Sequence, residues 1–190
     1  MGGLRISGGR FRGRRLVTPR GLKTRPTSER VREALFSILG ARVADARVAD
    51  CFAGSGALGI EALSRGASYV DFYERVAAPA AAIQDNLSAL QLEDMGRVIR
   101  GGLPGSLRAA PPYGLVLIDP PWGKGLAEKT LDALVKCDAA PGALVVVEER
   151  RGGFMLPEHT GQVQLVDRRT YGDTELSFIA LEPGPARGPA

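Results

Sequence analysis

Residues 50–59 of this 190-residue chain read Asp50-Cys51-Phe52-Ala53-Gly54-Ser55-Gly56-Ala57-Leu58-Gly59. The last six residues match the pattern G-x-G-x-x-G, and the stretch lies between a short apolar segment and a segment with helical spacing. Glycines here let the backbone turn tightly and approach a ligand. Glu74 follows 20 residues after Gly54, where a carboxylate can accept hydrogen bonds from both hydroxyls of a ribose. The pattern therefore predicts a nucleotide-type cofactor at a strand–loop–helix turn.

Strands and helices alternate on both sides of this loop. After a first helix that runs to about Gly40, the hydrophobic pattern predicts strands at Ala46–Cys51, Tyr69–Tyr73, Arg97–Arg100, Gly114–Ile118, Ala143–Val147, Gln162–Arg169 and Glu175–Leu181, with helices at Ala57–Arg65, Val76–Leu90 and Leu126–Cys137. Such alternation indicates an α/β fold with a mostly parallel sheet covered on both faces. The last two strands are separated by Tyr171-Gly172-Asp173, which predicts a turn and an antiparallel pair.

The acid before the glycines bears on which cofactor binds. Asp50 precedes Gly54 by four residues, and a carboxylate beside the pyrophosphate of a dinucleotide would be repelled. Beside the ammonium and the sulfonium of S-adenosylmethionine it would be attracted. We therefore expect Asp50, Phe52, Ala53, Gly54, Ser55, Gly56 and Glu74 to bind S-adenosylmethionine, with a nicotinamide cofactor as the alternative.

A second loop follows a strongly apolar strand and reads Asp119-Pro120-Pro121-Trp122. Asp119 and the Pro120 carbonyl offer two hydrogen-bond acceptors, and the prolines remove competing donors. Trp122 offers a face on which a base can stack. Two acceptors can draw the hydrogens of a planar exocyclic amine out of the ring plane and free its lone pair. If its strand lies next to the glycine loop, this loop is predicted to be catalytic.

Positive charge is concentrated at the N-terminus. Residues 1–32 contain ten Lys or Arg residues and one Glu, a net charge of +9, while the rest of the chain has a net charge of −5. Apolar residues are interleaved with the arginines, and Gly8-Gly9 and Gly13 supply turns, which predicts an ordered hairpin rather than a solubilising tail. Such a segment suits a polyanion. The candidate RNA-binding residues are Arg5, Arg10, Arg12, Arg14, Arg15, Arg20, Lys23 and Arg25.

Composition argues against several other classes. Two cysteines, Cys51 and Cys137, cannot form a disulfide framework and indicate a reducing compartment, and the single histidine, His159, disfavours a metal site. No apolar run reaches the ~18 residues that span a bilayer, and no signal peptide is evident. We therefore expect a cytoplasmic protein that uses neither metal nor membrane.

Several stretches together resemble one family of the class I S-adenosylmethionine-dependent methyltransferases. These are residues 5–16, the triplet Arg25-Pro26-Thr27, the run Arg32-Glu33-Ala34-Leu35-Phe36, residues 50–67 and the Asp119 loop. They resemble the ribosomal RNA small-subunit methyltransferase D family, whose members methylate N2 of one guanine in 16S RNA. The resemblance covers nearly the whole chain except the tail.

This resemblance implies a Rossmann-like, seven-stranded, mostly parallel sheet with a small N-terminal RNA-binding extension. We expect the extension at residues 1–40, the methyltransferase domain at 41–182 and a flexible tail at 183–190. The implied partner is 16S ribosomal RNA, free or within a small subunit or its assembly intermediate, and the protein is expected to be a monomer. The resemblance also assigns Asp50, Gly54, Gly56 and Glu74 to cofactor binding and residues 119–122 to catalysis.

Some positions depart from the family or allow other interpretations. Gly101-Gly102 occupy the place where the family commonly has an acid near the adenine amine, so backbone groups are expected to replace it. Arg30 and Glu33 can form a surface pair or lie near the cofactor loop. Glu148-Glu149 can be a paired-carboxylate site, but a solvated strand end is the preferred interpretation.

The sequence leaves more than one target open. The catalytic loop fits guanine N2, but it equally fits adenine N6 or the amide of a protein glutamine, because each presents an sp² nitrogen. The +9 segment favours RNA over a protein target. The chain could also be an RNA-binding protein without enzymatic activity, but the presence of both Asp119 and Glu74 argues against this hypothesis.

Overall fold

A computed structural model describes residues 4–19, 28–107, 112–157 and 162–182. The strands in these ranges are β1 Arg47–Cys51, β2 Tyr69–Glu74, β3 Gly96–Arg100, β4 Leu115–Ile118, β5 Leu144–Arg150, β6 Val163–Tyr171 and β7 Thr174–Leu181. The α-helices are α1 Glu29–Leu39, α2 Ala57–Ser64, α3 Ala77–Leu90 and α4 Leu126–Lys136. The predicted elements are therefore confirmed, most of them to within a residue or two.

These strands form one sheet in the order β3-β2-β1-β4-β5-β7-β6. Strands β1 to β5 pair in parallel, whereas β7 runs antiparallel between β5 and β6. This confirms the predicted α/β sheet with antiparallel last strands. Chain order reverses between β1 and β4, and ligands of such sheets bind at the carboxyl ends of strands near that reversal.

The start of α1 and the end of β5 are set by contacts that the hydrophobic pattern does not reveal. Helix α1 is capped by Ser28, whose hydroxyl accepts a hydrogen bond from the Val31 amide at 3.2 Å. Strand β5 extends to Arg150 rather than ending at Val147. It continues because β7 pairs with it as far as Arg150 and Thr174, a long-range pairing that satisfies the backbone of the polar residues.

Two apolar clusters cover the two faces of the sheet. One packs Val48, Phe72 and Leu117 against α1, α2 and α3, and the other packs Val116 and Val147 against Leu131 of α4. Ile6 and Leu16 of the N-terminal segment belong to the first cluster and are 2% and 7% exposed. The segment is therefore part of the core on that face.

Residues 4–19 form a short hairpin that we call the arm. An antiparallel bridge joins Arg5 to Arg15, and the Gly13 amide donates to the Ile6 carbonyl at 2.8 Å. The arm docks on α2, because the Phe11 amide donates to Ser64 Oγ at 2.9 Å and the Arg10 amide to the Ser64 carbonyl at 2.7 Å. The predicted ordered hairpin is confirmed, while the division of the chain at residues 40 and 183 stays a prediction.

A buried carboxylate ties the arm to the two helices beneath it. Glu61 is fully buried and accepts hydrogen bonds from the amide and the hydroxyl of Ser7, both at 2.8 Å. It also pairs with Arg32 at 3.3 Å and with Arg65 at 2.8 Å. The Arg32 guanidinium in turn donates to the Arg5 carbonyl. One glutamate therefore joins the arm, α1 and α2.

We expect Glu61→Ala to lower the free energy of unfolding by about 3–5 kcal/mol, because Arg32 would keep a buried charge without its partner. Urea denaturation followed by circular dichroism measures the loss. Glu33→Ala is the matched control, since Glu33 is exposed on α1. A loss below about 1 kcal/mol for Glu61→Ala would show that the cluster does not hold the arm.

Candidate active site

A large cleft lies at the carboxyl ends of the parallel strands. Its volume is about 750 Å³, and this is within the range that binds small-molecule ligands. The glycine loop after β1, Glu74 at the end of β2, Gly101-Gly102 after β3 and residues 119–122 after β4 all line it. The two motifs that the sequence singled out are thus brought into one space.

The glycine loop has the backbone conformation that its sequence predicts. Gly54 and Gly56 have φ of 57° and 80°, in the left-handed region that favours glycine. Phe52 shares this region with φ 64°, which is unfavourable for a bulky residue. Backbone strain of this kind is characteristic of ligand sites. Asp50, Phe52, Ala53, Gly54 and Ser55 line the cleft.

Gly56 does not line the cleft with its neighbours. It caps the start of α2, and a Cβ there would lie 3.1 Å from the Ile83 side chain and 3.3 Å from Phe72. A glycine is therefore needed at this position because the loop packs closely on α3 and β2 and because the backbone is left-handed.

Glu74 is held by the backbone and still faces the cleft. One carboxylate oxygen accepts a hydrogen bond from the Gly54 amide at 2.9 Å, and the other accepts one from the Val76 amide at 2.7 Å. The side chain is 9% exposed. Each carboxylate oxygen has two lone pairs, so each can accept one more hydrogen bond from a ligand. The carboxylate is therefore oriented before any ligand binds.

Asp50 also lines the cleft and is 1% exposed. Its Oδ2 accepts a hydrogen bond from the Gly59 amide in the first turn of α2 at 2.8 Å. Burial raises the pKa of Asp50 to about 7, with a further increase from the negative charge of Glu74, and the Gly59 hydrogen bond opposes the rise. A cation bound beside Asp50 would favour its ionised form.

The loop at residues 119–122 lies directly beside the glycine loop. Strand β4 pairs with β1 in the register Ile118 to Cys51, so both loops leave the sheet side by side. The Asp119 amide approaches the Cys51 carbonyl at 3.5 Å. All four predicted residues, Asp119, Pro120, Pro121 and Trp122, line the cleft. Trp122 is half-buried, so part of its ring is accessible from the cleft.

Residues 4–180 match the model of a family described as conserved hypothetical protein 95. The chain belongs to this family. It is 41% identical over 133 residues to ribosomal RNA small subunit methyltransferase D of Escherichia coli strain K12, covering 70% of this chain and 67% of that one. The protein of the same name from Haemophilus influenzae is 35% identical over 164 residues, covering 83% and 85%.

Solved structures agree with the family. An Escherichia coli protein, yhhF, whose name assigns it provisionally to the methyltransferases, superposes with a TM-score of 0.83 at 34% identity, covering 95% of this chain and 99% of its own. A Thermus thermophilus protein without an assigned function, TTHA0928, superposes with a TM-score of 0.75 at 28% identity, covering 94% and 98%. The resemblance to the methyltransferase D family and the Rossmann-like fold are thereby confirmed.

In this family member the candidate RNA-binding residues are only partly described. Arg10, Arg12, Arg14 and Arg15 are exposed on the arm. Arg5 is half-buried and donates to the Gly13 carbonyl at 2.8 Å. Arg20, Lys23 and Arg25 lie outside the described residues, as do His159 and the tail at 183–190.

One expectation about the surroundings of the site needs correction. Glu148 and Glu149 are not a solvated strand end, because β5 continues through both and they are 6% and 3% exposed. Glu148 lines the cleft. Arg30 and Glu33 are exposed and do not line it, whereas Ser28 at the start of α1 does. The residue from α1 that joins the buried cluster is Arg32, which helical spacing alone did not distinguish.

One wall of the cleft rests on a polar network that sequence reasoning missed. Tyr73, which lines the cleft, shares a 2.9 Å hydrogen bond with the Tyr113 hydroxyl. The Tyr113 hydroxyl donates to Asp71 at 2.8 Å, and Asp71 also pairs with Arg47 and Arg97. Burial raises the pKa of both tyrosines. These residues come from β1, β2, β3 and the segment before β4, so no local pattern predicts the network.

Among the residues that the structure describes, no group of three or more His, Cys, Asp or Glu side chains is arranged to hold a metal ion. In those same ranges, no helix is both long and apolar enough to cross a membrane.

Proposed function

We propose that this protein transfers a methyl group from S-adenosylmethionine to the exocyclic N2 of a guanine in 16S ribosomal RNA of the small subunit. The main observation in support is that Glu74 and the Asp119 loop line the same cleft, with the Glu74 carboxylate already oriented by a backbone amide. Relatives named ribosomal RNA small subunit methyltransferase D support the choice of RNA. Methyl transfer to undermethylated 16S RNA, followed by nucleoside analysis, tests it.

The residues around the glycine loop fit S-adenosylmethionine. Glu74 would accept hydrogen bonds from the two ribose hydroxyls with its remaining lone pairs. Asp50 would face the positively charged end, and Gly101-Gly102 would contact the adenine with backbone groups. When bound, the cofactor would supply an electrophilic methyl group to the amine and retain the bonding electrons on sulfur as a neutral thioether, and the methylated amine would lose one proton to solvent.

The loop at residues 119–122 would act on the target amine. The Asp119 carboxylate and the Pro120 carbonyl would each accept a hydrogen bond from the amine and hold the nitrogen with its lone pair toward the methyl group. Trp122 would stack on the base, an interaction worth about 1–3 kcal/mol. Catalysis of this kind consists mainly of positioning and electrostatic stabilisation.

The arm would hold the RNA. Its four exposed arginines are the described part of the +9 segment, and neutralising phosphates releases condensed counterions. The target base must leave any stack to reach Trp122, which favours a loop guanine over one in a helix. Free 16S RNA and an assembled subunit are both candidate substrates. Adenine N6 of a nucleic acid or a protein glutamine is the alternative target.

We expect Glu74→Ala to weaken the binding of S-adenosylmethionine by about 1–3 kcal/mol, because a charged acceptor for the ribose hydroxyls is removed. Isothermal titration calorimetry measures the affinity, and Glu149→Ala on β5 is a control for removal of a buried glutamate outside the cleft. NAD is titrated in parallel. Tight binding of NAD with no binding of S-adenosylmethionine would disprove the cofactor assignment.

The affinity for S-adenosylmethionine is also expected to depend on pH through Asp50. Because the pKa of Asp50 is about 7, the carboxyl is mostly neutral below pH 7, and binding of a cation must then release its proton. The affinity should therefore fall as pH is lowered from 7.5 to 5.5, by up to about tenfold per unit below pH 7. Calorimetry across this range tests it. Equal pH dependence in Asp50→Asn would contradict it.

A further inference from the structure

Three neighbouring strands place polar side chains in the part of the cleft next to the catalytic loop. Asp119 follows β4, Glu148 lies near the end of β5 and Thr174 begins β7, and all three line the cleft. Leu117 pairs with Val146, and Asp119 and Glu148 each lie two positions further along the chain from that pair. Since side chains two positions apart in a strand share a face, Glu148 lies on the face of Val146 and Leu117, and Asp119 follows the end of the adjacent strand at the matching position.

Glu148 is unusual for a residue at a strand end. Glutamate is rarely fully buried, yet Glu148 is 6% exposed and the surface it retains lies in the wall of a ligand-sized cleft. The glycine loop and Glu74 occupy the β1 and β2 side of that cleft, whereas Glu148 is on the β4, β5 and β7 side. Its carboxylate is therefore placed for the target base rather than for the cofactor.

The chemistry of a carboxylate at this position distinguishes the candidate bases. The edge of guanine that bears the N2 amine also bears the N1–H, a donor on the neighbouring ring atom. In adenine, the ring atom next to the N6 amine is an unprotonated nitrogen, which is an acceptor. A carboxylate beside Asp119 would accept a hydrogen bond from the N1–H of guanine and would repel the lone pair of the unprotonated nitrogen of adenine. An unfavourable pair of this kind gives specificity by rejecting the wrong substrate.

We propose that Glu148 accepts a hydrogen bond from the N1–H of the target guanine and so determines that the enzyme acts on guanine N2 rather than on adenine N6. The inference rests on the proposed function, because it assumes that a base amine is the methyl acceptor at Asp119. It assigns Glu148 to substrate selection, separate from the transfer of the methyl group.

The test compares guanine with 2-aminopurine at the mapped target nucleotide. 2-Aminopurine keeps the amine at C2 but has an unprotonated N1. The substrate is 16S RNA, free or assembled into small subunits, whichever the wild-type protein methylates, with the analogue introduced by ligation of a synthetic segment. The proteins are wild type, Glu148→Gln and Glu149→Gln, and kcat/KM is measured for both substrates.

We expect wild type to prefer guanine by roughly 10²-fold or more, because a site built to accept a hydrogen bond rejects the analogue that lacks the donor. Glu148→Gln should reduce this ratio at least about tenfold, since its amide can donate to the bare N1. Glu149→Gln should keep the wild-type ratio, because Glu149 does not line the cleft. A merely structural role of Glu148 would lower both rates together.

Two results would overturn the inference in different ways. If wild type methylates guanine and Glu148→Gln keeps the wild-type preference over 2-aminopurine, Glu148 does not recognise N1 and the proposed function stands. If wild type modifies adenine or a protein and no guanine in either form of the substrate, the proposed function fails and the role of Glu148 fails with it.

Discussion

Asp119→Ala is expected to lower kcat by about 10²–10³-fold while S-adenosylmethionine affinity stays near the wild-type value. The magnitude is that of removing one preorganised hydrogen-bonding group from an active site. The carboxylate is proposed to act at the target amine, and the ribose and charged groups of the cofactor would contact Glu74 and Asp50 instead. The affinity for S-adenosylmethionine should therefore be nearly unchanged in Asp119→Ala, although most of the turnover is lost.

Single-turnover methyl transfer and calorimetry measure the two quantities separately. Asp119→Asn keeps one neutral acceptor and should fall between wild type and Asp119→Ala. Asp85→Ala, on the exposed face of α3, is the matched control and should have wild-type activity. Wild-type turnover in Asp119→Ala would show that the catalytic loop is misassigned.

Replacing the four exposed arm arginines with glutamine is expected to produce the second large effect. Arg10, Arg12, Arg14 and Arg15 are exposed while Ile6 and Leu16 of the same arm are buried, so the substitutions remove charge without removing core. RNA affinity should fall by about 10–10³-fold, because several phosphate contacts would be lost. On single-stranded RNA, the slope of log K against log salt should flatten by about 0.7 for each phosphate that the arm no longer neutralises.

Filter binding at several salt concentrations measures both the affinity and the slope. A charge-matched control replaces Arg42, Lys129, Arg151 and Arg169, which are exposed, do not line the cleft and belong to other segments than the arm. Cofactor affinity should be unchanged in both variants. Equal RNA affinity and equal slope in the arm variant and wild type would mean that the arm is a structural element only.

Deleting the arm would be a poorer experiment, and the structure explains why. On the sequence alone, truncation at residue 20 removes a positively charged hairpin. In the fold it would also remove Ile6 and Leu16 from the core and leave Glu61 without the two donors of Ser7. Failure to bind RNA would then be indistinguishable from failure to fold.

The parts of this fold that depend on local spacing could be predicted from the sequence. The G-x-G-x-x-G loop, Glu74 and the Asp119 loop each follow an apolar strand, and the alternation of elements indicates that these strands are parallel. The carboxyl ends of parallel strands meet at one edge, so the shared cleft follows from chain order once β1 and β4 are neighbours.

What could not be predicted depends on contacts between distant segments. Glu148 is buried because β7 returns antiparallel along β5, and only that pairing makes the polar end of β5 part of the sheet. Glu61 is buried because the arm folds back over α2. Charged residues are rarely fully buried, and in both cases it is a contact between distant segments that buries the glutamate.

The cleft is proposed to methylate a guanine amine in ribosomal RNA. The most direct measurement incubates undermethylated 16S RNA, free and within small subunits, with S-adenosylmethionine carrying a labelled methyl group, and then analyses the nucleosides. We expect label in N2-methylguanosine at one position with wild type and none above background with Asp119→Ala. Label in N6-methyladenosine or in ribosomal protein, with no labelled guanosine from either substrate, would contradict the account.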